Sequence, residues 1–102
     1  VVNANADDTK LMMKKLVPVR LLKNKFFDEV KALEDRCATQ EELSTLLGKG
    51  RAKAGMLDGD MDNGELEIGQ VSAQIRDIPT VADCVANLVN EYQETIKRLT
   101  SL

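Results

Sequence analysis

Apolar residues recur at helical spacing in four stretches of the chain and at shorter, strand-like spacing in one. Val81, Val85, Leu88, Tyr92, Ile96 and Leu99 fall on one stripe over about five turns, which predicts an amphipathic helix through most of 80–102. Thr80 and Asp83 just after Pro79 form a start signal, and Lys97 and Arg98 suit the negative end of the helix dipole. Phe27, Val30, Leu33 and Cys37 predict a helix over about 26–37, with Asn24 as its cap. Thr39-Gln40-Glu41-Glu42 matches a capping box and opens a helix over 40–48 that buries Leu43, Leu46 and Leu47 and stops at Gly48 or Gly50.

Pro18 removes a backbone N–H and biases Val17 to extended geometry, so the segment before Asn24 is read as short strands near 11–14 and 19–22. Five of the six glycines lie between Gly48 and Gly64, which marks a loop with a helical turn or two over Arg51–Leu57. A further helix is expected over 66–75, burying Leu66 or Ile68, Val71 and Ile75. The fold class is mainly α with a small amount of β (α+β), in one domain of 102 residues. Only Phe26, Phe27 and Tyr92 are aromatic, so the core rests on Leu, Val, Ile and Met.

The net charge of −3 with mixed signs gives no general attraction to nucleic acid, and no run approaches the roughly 18 apolar residues that cross a bilayer. Cytoplasmic localisation is the resulting expectation, and Cys37 and Cys84 are read as buried free thiols. With no His in the chain, no Ser-His or Cys-His nucleophile can assemble, and no zinc site is expected. Asp58, Asp60 and Asp62 have the alternation of a calcium loop. However, Asn63 and Gly69 stand where its Gly and Glu belong, leaving a solvated acidic turn. Gly50–Gly55 has the gap of a phosphate loop, but Met56-Leu57 replaces its Lys-Ser/Thr pair.

Six basic and no acidic residues occupy Lys10–Lys25. With Lys49, Arg51 and Lys53 they form a solvated face or a docking patch for an acidic partner such as acyl carrier protein. Gly69-Gln70 is the sharpest site signal, because Gly permits close backbone approach and Gln offers a neutral donor and acceptor. From spacing alone, a packing Gly beside a surface Gln reads equally well.

Pro18-Val-Arg20 followed by Lys23-Asn24-Lys25-Phe26 resembles one segment of the flavin-dependent nitronate monooxygenases (2-nitropropane dioxygenases). The turn Gly59-Asp60 through Gly64 and the run Glu67-Ile68-Gly69-Gln70-Val71-Ser72-Ala73 resemble two more. The flavin-dependent enoyl-acyl-carrier-protein reductases share these signatures. The ordered set spans Lys10 to Tyr92.

The resemblance implies the C-terminal part of an FMN-binding TIM-barrel enzyme. Residues 1–79 would then be a small cover domain, and 80–102 a final helix packed on the barrel. It places Gly69, Gln70 and, less directly, Arg20 at the flavin and substrate pocket, with the catalytic and phosphate-binding residues in the barrel. The chain alone is then inactive. The parent acts on a nitronate or an enoyl thioester, and Glu67-Ile68 in place of the family's Met-Ala leaves that choice open. Exposure of the 80–102 stripe would favour a homo-oligomer. The alternative is a stand-alone helical interaction module that uses the same stripe as a partner face.

Overall fold

The computed structural model describes residues 1–102. A short 3-10 turn, Ala6–Asp8, leads into a hairpin of β1 (Thr9–Met12) and β2 (Val19–Leu22), paired antiparallel from Thr9↔Leu22 to Met12↔Val19. Three helices follow: α1 (Lys25–Asp35), α2 (Gln40–Leu47) and α3 (Arg51–Met56). A second 3-10 segment, Gln70–Gln74, precedes the long α4 (Val81–Thr100).

β1 starts earlier than the 11–14 expected and ends at Met12, because Met13 takes a left-handed φ of 57°. The Glu34 carboxylate accepts the Met13 N–H at 2.6 Å and holds that turn. Asn24 caps α1, its Oδ1 accepting the Phe27 N–H at 2.8 Å. The helix ends at Asp35, and Cys37 lies beyond it at φ 57°. The Thr39–Glu42 capping box forms as a reciprocal pair, and Gly48 closes α2 with φ 63°.

The core is a cluster of Met12, Met13, Leu21, Phe26, Phe27, Val30 and Leu43, where the hairpin meets α1 and α2. Leu46 and Leu47, expected to be buried, sit half-buried at its edge. Both cysteines are exposed, correcting the expectation of buried thiols: Cys37 has left the apolar face of α1, and Cys84 lies on a helix that nothing covers.

The helix expected over 66–75 is not formed. Leu66–Ile68 runs extended beside β2, bridging Leu21 with Glu67, and only Gln70–Gln74 winds into a 3-10 turn. Free ladder groups on β2 outcompete helical propensity here, since an unpaired strand edge must satisfy its N–H and C=O groups. Leu66 is buried on the body, whereas Val71 and Ile75 are exposed. Every residue of α4 is exposed, its stripe from Val81 to Leu99 included.

Candidate functional site

The extended Leu66–Ile68 segment brings the sequence-predicted site residues together. The Leu22 N–H donates to the Leu66 carbonyl at 2.9 Å, and the Ile68 N–H donates to the Arg20 carbonyl at 3.0 Å. Gly69-Gln70 therefore emerges from the sheet edge one residue beyond the Arg20 pairing. Arg20 is half-buried, with its Nη1 donating to Thr9 Oγ1 across the hairpin at 3.2 Å.

Gly69 and Gln70 are exposed, and the Gln70 amide makes no side-chain hydrogen bond within the chain. Gly69 has an ordinary φ of −89°, and a Cβ built there would meet only Val71, at 3.8 Å. Neither backbone strain nor a neighbour in this chain demands glycine at position 69.

Other parts of the recognised pattern hold the scaffold. The Asn24 Nδ2 donates to the carbonyls of Met61 at 3.0 Å and Gly64 at 2.8 Å, tying the start of α1 to the acidic turn. Inside that turn, Asp60 Oδ1 accepts the N–H groups of Asp62 and Asn63. Asp58 pairs with Lys53, so the acidic alternation serves the turn itself.

Three of the basic residues are engaged within the chain. Lys15 donates to the Ala38 carbonyl, Lys53 pairs with Asp58, and Arg51 turns inward. The Arg51 guanidinium lies 4.5 Å from the Phe26 ring centre and donates to the carbonyls of Leu46, Leu47 and Asn63.

Glu65 escaped the sequence reading. It is buried, with 7% of its surface exposed, and burial followed by the charge of neighbouring Glu67 pushes its carboxyl above the ordinary glutamate range. The signal was the period-two run Glu65-Leu66-Glu67-Ile68, a strand pattern read as a helix start.

Together these residues form an open edge of backbone, one guanidinium and one amide. The site carries no His, and its one perturbed group, Glu65, lies behind the edge.

The family model for nitronate monooxygenase matches residues 1–91. The chain belongs to the nitronate monooxygenase family. Two similar solved structures extend this. FabK from Thermotoga maritima aligns over 98% of the chain at 25% identity with a TM-score of 0.79. The FabK (M276A) mutant from the same organism aligns over 98% at 22% identity with a TM-score of 0.73, which speaks for the fold. The chain spans 32% and 29% of those two proteins. No curated protein matches. The nitronate monooxygenase and FabK families are generally flavin-dependent. No helix of this family member is long and apolar enough to cross a membrane.

Proposed function

We propose that this chain is the cover portion of an FMN-dependent oxidoreductase, whose barrel supplies the cofactor's phosphate site and the catalytic residues. The observation that carries the reading is the open Arg20–Gly69–Gln70 edge on a scaffold that aligns with nearly its whole length to part of FabK. The exposed stripe of α4 supports it, because an apolar face of that length is what a helix packed on a barrel presents once the barrel is taken away.

The residues present fit such a role. A hydrogen in place of a side chain at Gly69 lets a flat ring approach the backbone, and Gln70 has a free amide to donate to or accept from it. FMN, when bound, supplies the electron chemistry. The chain's own residues exclude water from one side of the cavity and orient the substrate, with Arg20 offering positive charge near a substrate oxygen. Lys10, Lys14, Lys23, Lys25 and Lys49 make no internal ion pair, which leaves cations for an acidic carrier protein if the substrate is an enoyl thioester.

The test is the visible spectrum of the protein expressed from its full natural reading frame, followed by turnover with an alkyl nitronate and with crotonyl thioester. Flavin bands that leave with FMN on denaturation support the reading, and the preferred substrate assigns the class. A colourless protein that stays colourless with added FMN overturns it. The stripe of α4 would then belong to an interaction module.

A further inference from the structure

The 3-10 segment Gln70–Gln74 is wound with its polar side inward. Ser72 is 1% exposed, and its Oγ is the one buried side-chain polar atom without a hydrogen-bond partner. Val71 and Ile75 beside it are 59% and 40% exposed. A hydroxyl buried in this way carries the desolvation penalty of an unmade hydrogen bond, while the apolar pair gains nothing from burial.

Little holds this winding in place. The Ile68 N–H makes the last backbone hydrogen bond to the body, to the Arg20 carbonyl. From Gly69 to Pro79 the backbone bonds only locally, with the Ser72 N–H donating to the Gly69 carbonyl at 3.1 Å and the Ile75 N–H to the Ser72 carbonyl at 3.2 Å. Gly69, where this strap begins, has no neighbour that restrains it.

The Ile68 carbonyl, four residues before Ser72, accepts no hydrogen bond within the chain. In an α-helix that carbonyl is the acceptor of the Ser72 N–H, and a serine hydroxyl can donate to it as well. Ile68 would then stand at the N-cap, an extended position that leaves its own N–H on Arg20. The same winding sets Val71 and Ile75, four residues apart, on one face.

We propose that residues 69–75 rewind from this 3-10 form into an α-helical turn when the cavity beside Gly69 is filled. Ser72 Oγ then donates to the Ile68 carbonyl, and Val71 and Ile75 close over the occupant as one apolar face. That face is stable only against something, so the α form waits on the occupant. The rise per residue falls from about 2.0 to about 1.5 Å, which shortens the tether to α4 by roughly 3 Å. The trigger rests on the flavin reading above, whereas the switch is built from this chain's own residues.

The experiment is hydrogen–deuterium exchange of the protein from its full reading frame, with and without FMN, flavin binding being read separately from the visible spectrum. Exchange across 69–79 is expected to slow at least about tenfold with FMN. Direct shielding by the flavin would persist in Val71→Ser/Ile75→Ser, whereas the switch requires that variant to bind FMN and lose the protection. Ser72→Ala should reduce the protection at least about fivefold although alanine is the better helix former, because it relieves the 3-10 form of its orphan hydroxyl. Without ligand the same variant should melt about 2 °C higher. Bound flavin with unchanged exchange, or protection that survives in both variants, overturns the switch and leaves the flavin reading standing. A protein that binds no flavin while Ser72→Ala melts higher overturns the flavin reading and supports the strained 3-10 form. A lower melting temperature for Ser72→Ala overturns the switch.

Discussion

The backbones of Gly55 and Gly64 touch. A Cβ built on Gly64 would lie 2.2 Å from the Gly55 Cα, and one built on Gly55 would lie 2.9 Å from the Glu65 carbonyl oxygen. This contact presses α3 against the end of the acidic turn. The Glu65 N–H donates there to the Arg51 carbonyl, and the chain then enters its pairing with β2. The position of Gly69-Gln70 is thus set from ten or so residues upstream.

Gly64→Ala is accordingly expected to destabilise the fold by about 3 kcal/mol, the upper end for overpacking, because the clashing atoms are backbone and cannot rotate away. Gly69→Ala should change stability by no more than about 0.5 kcal/mol, since its Cβ meets only Val71 at ordinary contact distance. Urea denaturation of both variants measures the contrast. Gly69→Ala is then also a clean probe of the cavity, and an effect on flavin or substrate binding in the full protein would not be a folding artefact.

Arg51→Lys should cost about 2 kcal/mol, although the charge is kept. The guanidinium serves three carbonyls on two separate segments while stacking on Phe26, and a lysine ammonium cannot reach that set in one plane. A shift in the urea midpoint without a change in slope is the expected signature.

Two glutamates act in opposite directions with pH. Burial raises the Glu65 carboxyl, so the favourable contribution of its protonated form is present at low pH and is lost as pH rises through its folded value. The Thr39 N–H, then Arg36, holds Glu42 below the ordinary range. Its contribution is present above the unfolded value and is lost as pH falls through the folded one. Glu65→Gln should therefore raise stability near pH 7.5 and have little effect in mild acid, read as melting temperature against pH. A variant less stable than the parent at pH 7.5 would contradict this.

The 102-residue chain by itself should self-associate through α4. Leu88 and Tyr92 are 70% and 67% exposed on its stripe, so Leu88→Glu/Tyr92→Glu should return the chain to monomer in sedimentation velocity with its helix content unchanged. In the full protein, the same double substitution should instead weaken attachment of this segment to the rest.

Much of the architecture was legible in the residues, because its signals are local. Asn24, Thr39 and Thr80 each accept a backbone N–H within three residues, so capping chemistry alone predicts where α1, α2 and α4 begin. The stripe of α4 is likewise readable from period alone. What lay beyond the sequence depends on partners far along the chain. Glu65–Ile68 carries both a helical and a strand period, and the open edge of β2, more than forty residues away, decided for the strand. That one pairing sets Gly69-Gln70 next to Arg20 and buries Glu65. Local spacing determines which residues can start a helix, but the unsatisfied hydrogen-bonding groups of a distant strand determine which segment must stay extended.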